Sequence, residues 1–255
     1  MPMQKKIATI DRMMNILEII RKSRSPIGVS MISKETGVAK ATAFRVLQTL
    51  LQYKMVEKND HDEYYLGSLF IRYGEYAKRN YSIRSIAEPH LKQLAEETGE
   101  SSNLGIRNEN EVITILTAPG ESSIMLVDLI PVSPLHCSSM GKILLSSLSK
   151  QEILSYFNEG QPVKKRTVNT LTTYEEFLDF QKNYAATGIS YDLEEYDYGL
   201  CCIAAPIFNS SGDVIAAMNL SGPLSRLKIK GLNVLERSVR KTSAAISTAA
   251  SEILL

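Results

Sequence analysis

The stretch Val29–Leu50, VSMISKETGVAKATAFRVLQTL, constrains this chain more than any other. It spells two short helices around a tight turn. Gly37 sits at that turn, where the backbone needs an angle that a residue with a Cβ resists. Ser30 is the expected N-cap of the first helix. Ile32 and Val38 are expected in a small core. After the turn, Ala43, Val46, Leu47 and Leu50 recur at i, i+3, i+4 and i+7, one face of a helix. The other face carries Lys40, Ala41, Phe44, Arg45, Gln48 and Thr49. Small, polar and basic side chains there admit a nucleic-acid backbone and bring donors to it. A helical hairpin with glycine in its turn also serves plain packing, so the pattern by itself leaves both uses open.

The flanking segments give this hairpin a context. Ile7–Lys22 carries an apolar stripe at helical spacing, followed by basic residues at its C-terminal end. Ser25-Pro26 breaks it. Met55–Lys58 and Tyr64–Leu66 look like two short strands around the polar turn 59–63. Helix, helix-turn-helix, hairpin is the order of a winged helix. The wing tip is acidic (Asp60, Asp62, Glu63), so little phosphate contact is expected from it. Residues 68–79 resume helical spacing as a connecting helix. Another helix begins at Ser82, is kinked or restarted by Pro89 and ends at Gly99.

From Ser102 the period changes to that of strands: 103–107, 111–117 and 123–129. A helix is expected over 142–148. Ser149 with Glu152, and Thr173 with Glu176, read as capping boxes of two more. Strands at 189–193, 201–208 and 214–221 follow, the last two around the turn 209–213, and then a helix from about 232 to 254. The fold class is α+β, with an N-terminal winged helix-turn-helix over 7–66, a linker helix over 67–81 and a second domain over 82–255.

Composition narrows the class. Residues 1–80 hold 14 Lys+Arg against 8 Asp+Glu, net +6, and the remainder 15 against 20, net −5. A basic N-terminal part beside an acidic remainder suggests a nucleic-acid module joined to a domain with another task. No apolar run approaches the roughly 20 residues of a membrane span. The start MPMQKKIATI has no apolar core before a small-residue cleavage site, so no secretion signal is expected. Cys137, Cys201 and Cys202 make no disulfide framework, which fits a reducing cytoplasm.

Four stretches in order carry a resemblance: VAKATAFRVLQTL, AEPHLKQLAEETGES, PLHCSSMGKILLSSL and GISYDLEEYDYGLCCIAAPIFNSSGDVIAAMNLSGP. With these the chain resembles the IclR family of bacterial transcriptional regulators nearly end to end. The resemblance implies a winged helix-turn-helix, a linker helix and a GAF-like α/β effector domain with an antiparallel sheet. It implies a homodimer or dimer of dimers on double-stranded operator DNA, a small carboxylate or sugar-acid effector, and no cofactor or enzymatic role.

Arg45 is the expected base or phosphate contact, because its planar fork binds bidentate. Lys40 and Thr42 are expected at phosphates, and Ser33 and Lys34 on the preceding helix at the DNA backbone. Ala41 and Gln48 complete the set. Phe44, at a position often polar in the family, either touches thymine methyls or packs against a neighbouring helix.

On the effector side, Ser138–Gly141 offers free N–H groups at a helix start, a seat for a carboxylate. The resemblance adds Ser139, Met140, Gly141, Asp192, Leu200, Cys202, Asn219 and Ser221 as pocket residues. Asp192, acceptor-only when ionised, would take a ligand hydroxyl. Met140 and Asn219 replace smaller residues common in the family, which implies a smaller or differently shaped pocket. Met125, Val127 and Leu129 are expected as an apolar wall or as plain core.

Two sharper readings of His136, Cys137 and Cys202 are a metal site and a Cys–His nucleophile. The first lacks a ligand spacing. The second lacks a third orienting group, and neighbours on a strand point to opposite faces. The Glu194-Glu195 pair suits a solvated or salt-bridged strand end better than acid–base work. The competing class is a small-molecule-binding protein or Cys-dependent enzyme with an incidental helical hairpin.

Overall fold

In a computed structural model of the chain, residues 7–23, 25–121, 131–158 and 163–253 are described. They form two compact units, one ending at Asn80 and the other beginning at Tyr81.

The first unit packs α1 (Ala8–Lys22), α2 (Val29–Thr36) and α3 (Lys40–Gln52) over a small sheet. Its core is Ile16, Leu17, Ile20, Ile32, Ala43, Leu47, Leu50, Val56 and Tyr64. This is the apolar stripe of each helix turned inward, with Val38 and Val46 packed at its margin. Gly37 ends α2 at φ 67°, the left-handed conformation its place required. Ser30 is not the cap. The N-cap is Gly28, and Ser30 lies inside α2. The reason is β1 (Ile27–Gly28), which the sequence did not announce: it pairs antiparallel with β3 (Glu63–Leu66) and ties the chain down just before the helix. β3 pairs in turn with β2 (Val56–Lys58), giving the order β1-β3-β2. α4 (Leu69–Lys78) follows and has no buried residue.

The second unit is built on a six-stranded sheet in which every pair is antiparallel, ordered β6-β5-β4-β9-β8-β7. The strands are β4 (Ser101–Asn108), β5 (Glu111–Ala118), β6 (Val132–Pro134), β7 (Ser190–Leu193), β8 (Leu200–Phe208) and β9 (Val214–Pro223). α5 (Ser82–Thr98) and α10 (Leu232–Ile253) cover one face, where Leu104, Leu116, Cys201, Ile203, Met218 and Leu220 form the larger core. α5 runs unbroken through Pro89. An interior proline costs about 3 kcal/mol, but Ile83, Ile86, Leu91 and Leu94 are all buried on this face. Each such side chain contributes roughly 1.5–3 kcal/mol, so burial outweighs the lost bond.

The opposite face carries α6 (Ser139–Ser146), supported by α7 (Lys150–Asn158) and α8 (Tyr174–Thr187). α6 starts three residues earlier than its apolar run suggests, because Ser138 caps it by accepting from Gly141 N–H at 3.1 Å. The Thr173–Glu176 capping box opens α8 as expected. β6 and the short α9 (Leu224–Lys230) are elements the sequence reading missed. The strand expected at 123–129, with Met125, Val127 and Leu129, lies outside the described residues.

Candidate functional site

In the first unit the exposed face of α3 is the feature to explain. Lys40, Ala41, Phe44, Arg45 and Thr49 are exposed, while Thr42 and Gln48 are half-buried. Ala41, Phe44, Arg45 and Gln48 share one stripe, opposite buried Ala43, Leu47 and Leu50. Lys34, Lys40 and Arg45 have no ion-pair partner among the described residues. Elsewhere in the unit some charges pair locally, Glu18 with Arg21 and Lys22, Lys58 with Asp62, and Glu75 with Lys78, while Arg12, Lys54, Arg72 and Arg79 likewise form no ion pair among the described residues. Unneutralised cations gathered on one helical hairpin are what a polyanion needs.

Ser33, expected at the DNA backbone, has its hydroxyl engaged within the unit. It donates to Val38 O at 2.7 Å and braces the turn. The wing tip closes on itself through Lys58–Asp62 and through Asn59 Oδ1, which accepts from His61 and Glu63 N–H. Its one lysine is thereby matched to an acid.

In the second unit strand register assembles a polar stripe on the α6 face. Asp192, Cys202, Ser221 and Ser101 stand in one row across β7, β8, β9 and β4. Ser190, Ala204, Asn219, Asn103 and Thr117 stand in the next, two residues along each strand and so on the same side of the sheet. Asn103 links them. Its Nδ2 donates to Asn219 Oδ1 at 2.9 Å and Ser221 Oγ at 3.1 Å, and its Oδ1 accepts from Thr117 Oγ1 at 2.8 Å. Asn219 Nδ2 then reaches Ser139 Oγ at the start of α6, at 3.4 Å.

The structure thus brings together Ser139, Asp192, Cys202, Asn219 and Ser221. Leu200 continues their face on β8. Two placements differ from expectation. Ser138 occupies the N–H of Gly141, and its carbonyl accepts from Lys142 N–H, so the first turn of α6 is less free than a bare helix start. Met140 packs with Val112 over Gly105 in the smaller core, which narrows the space beside Asn103. The expected wall residues Met125 and Leu129 are outside the described residues.

A charged group borders the stripe. Lys142, only 2% exposed, is ion-paired with Glu195, and its Nζ lies 4.7 Å from the Phe180 ring centre. Burial pushes the Glu195 carboxyl up, against the pull of Lys142. Asp192 is 1% exposed, and its Oδ1 accepts from Glu195 N–H at 2.8 Å and Tyr196 N–H at 3.2 Å. Burial, then repulsion from Glu195, raises Asp192 to about 7. Near neutrality Asp192 is therefore divided between an ionised form that only accepts and a neutral form that can also donate. Ser190 Oγ and Glu195 Oε2 are buried without a hydrogen-bond partner among the described residues.

Asn103, Thr117 and Lys142 are residues of the candidate site that the sequence reading missed, whereas the salt-bridged reading of Glu195 agrees with its ion pair to Lys142. The signals were present: an asparagine within a buried strand, and a lysine inside the apolar run MGKILL.

The cysteine readings meet physical obstacles. His136 and Cys137 lie in the turn after β6, not on a strand. The ring nitrogens of His136 are 2.8 Å from Tyr156 OH and 3.1 Å from Lys164 O, and burial lowers its pKa to about 4. Burial pushes the Cys137 thiol up to about 12 and Cys202 well above its ordinary value, so neither is an activated thiolate. Among the described residues no cluster of three or more His, Cys, Asp or Glu could hold a metal ion.

A separate hollow of about 720 Å³ lies at the other end of α6, lined by Ile143, Tyr184, Pro206, Phe208 and Arg240 among others. Its serines 146, 147, 243 and 247 all donate to backbone carbonyls, and Arg240 is ion-paired with Glu236.

Comparison with known proteins decides the family. The IclR helix-turn-helix domain matches residues 9–60, and the C-terminal domain of the bacterial transcriptional regulator IclR matches residues 76–248. The chain belongs to the IclR family of bacterial transcriptional regulators. The HTH-type transcriptional repressor AllR of Escherichia coli (strain K12) is 32% identical over 96% of this chain and 91% of its own length. Among solved structures, the putative transcriptional regulator RHA06195 from Rhodococcus sp. RHA1 aligns at TM-score 0.78 and 26% identity, over 97% of this chain and 100% of that one. An IclR homologue complexed with 4-hydroxybenzoate, from Microbacterium hydrocarbonoxydans, shares the fold at TM-score 0.74 and 22% identity, over 96% and 99%. Family members pair a DNA-binding helix-turn-helix with a regulatory domain, and this chain is a transcriptional regulator of that kind.

Proposed function

We propose that this chain is a ligand-controlled repressor, working in the cytoplasm as a homodimer or dimer of dimers on a near-palindromic operator. α3 enters the major groove with Arg45 and Gln48 toward base edges, and Lys34, Lys40 and Thr42 meet phosphates. The effector is a small carboxylic or sugar acid held over the polar stripe by Ser139, Asp192, Asn219 and Ser221, with Cys202 and Leu200 beside it.

The observation that carries this reading is the unfinished hydrogen bonding of the stripe. A buried hydroxyl and a buried carboxylate oxygen without partners, beside a carboxyl near 7, cost stability unless another molecule completes them. The repressor AllR and the homologue crystallised with 4-hydroxybenzoate agree with the two halves of the proposal. A ligand changes operator affinity only by binding one arrangement of the dimer better than another.

The test is anisotropy binding of the full chain to DNA upstream of its own gene and its neighbours, at stated salt, with a panel of small carboxylic and sugar acids. Sequence-dependent binding that one compound weakens supports the proposal. A sample that binds none of these fragments specifically, yet turns over a small molecule, would replace it with the enzyme reading.

A further inference from the structure

The recognition stripe of α3 contains a residue that phosphate and hydrogen-bond chemistry does not use. Phe44 is 48% exposed. The other phenylalanine of the first unit, Phe70, packs against its core. The exposed tyrosines of the unit, Tyr53, Tyr65, Tyr73 and Tyr76, each end in a hydroxyl, and that of Tyr65 donates to Glu57 Oε2. Phe44 presents only hydrocarbon, and its ring has no aromatic or cationic neighbour among the described residues.

Its neighbours define what it faces. Ala41, one turn earlier on the same stripe, is also exposed, so the two form a short apolar strip. Lys40 and Arg45 flank it, and neither is ion-paired among the described residues. A surface with an apolar centre and cationic margins matches the major groove, where the thymine C5-methyl is the one apolar group and phosphates line both sides. The length of Phe lets it reach that methyl where Ala41 keeps the helix close.

We infer that Phe44, with Ala41, reads a thymine C5-methyl in each half-site, and so sets base specificity rather than merely adding contact area. This rests on the assignment of α3 to the major groove made above. The chemistry recognised is a methyl at pyrimidine C5. A 5-methylcytosine at the same step satisfies the apolar strip, and an unmethylated pyrimidine does not.

The experiment selects operator sequences for the full chain from a randomised duplex library, then replaces each thymine in turn by deoxyuridine, which removes only the methyl. Wild-type protein is expected to lose about fourfold in affinity at one thymine per half-site, the factor for one buried methyl group. Phe44→Ala is expected to bind the thymine and deoxyuridine duplexes equally at that step, with its melting temperature unchanged. Phe44→Leu is expected to keep part of the discrimination. Wild-type binding indifferent to every deoxyuridine would overturn the inference while leaving α3 in the groove. So would discrimination that survives in Phe44→Ala. A library from which no sequence is enriched would overturn the groove assignment itself, and this inference with it.

Discussion

Replacing Asp192 by Asn should stabilise the second unit, and by an amount that depends on pH. Asp192 is 1% exposed, and its carboxyl is raised from an ordinary 3.8 to about 7, first by burial and then by Glu195. A carboxyl whose folded pKa lies above its unfolded one holds its proton more tightly when folded. Its contribution is therefore fully present below about 3.8 and lost as pH rises to about 7. At about 1.4 kcal/mol per pH unit, the loss between roughly pH 5 and pH 7 approaches about 3 kcal/mol.

Asn cannot ionise, and its Oδ1 still accepts from the two N–H groups that now hold Asp192. It also leaves Lys142 matched to Glu195 alone. The melting advantage of Asp192→Asn should thus grow by about 6–12 °C from about pH 5 to pH 8, for a unit of this size. Calorimetry at the two pH values measures it. An advantage that is the same at both, or a variant destabilised at about pH 8, would refute the claim that Asp192 is held against its solvation. A residue that weakens the fold near neutrality and is not needed by it is the kind a binding site retains.

Other substitutions separate the two units. Arg45→Ala removes an exposed, unpaired cation, so it should cost about 1–3 kcal/mol of operator binding in an anisotropy titration while leaving the melting curve in place. Lys142→Met strands Glu195 in a buried site and should cost about 3–5 kcal/mol of stability by urea unfolding at neutral pH, less in acid where Glu195 protonates. Ser221→Ala takes away the hydroxyl that accepts from Asn103, so effector affinity should fall by about tenfold in calorimetric titration with DNA affinity unchanged. A wild-type ligand isotherm there would remove Ser221 from the site.

Much of this architecture was legible because periodicity reports burial. The stripes Ala43–Leu50 and Ile83–Leu94 predicted which face of each helix turns inward. Capping chemistry was equally readable at Thr173 and Glu176. What escaped depended on partners distant in sequence. β1 is two residues long and exists only because Tyr64 and Glu63 pair with it, so Ser30 looked like a cap. Pro89 looked like a break because its local cost is visible in the sequence, whereas the sheet beneath α5 is not.

The polar stripe was half-legible. Asp192, Cys202, Asn219 and Ser221 came from family resemblance, but Asn103 emerges only once β4 lies between β5 and β9. Lys142 was legible only as the start of an expected helix, because its partner Glu195 is 53 residues away.

The central claim is that the two units are coupled through one equilibrium, so that effector and operator each alter the other's binding. The most direct measurement is calorimetric titration of an active acid into the full chain, free and then saturated with operator. Linkage requires that operator lower the effector's affinity by the same factor by which effector lowers the operator's, a factor of about 5–150 for typical couplings. Equal factors in the two directions would establish the account. An effector that binds the free and operator-bound protein equally well would contradict it, whatever each unit does alone.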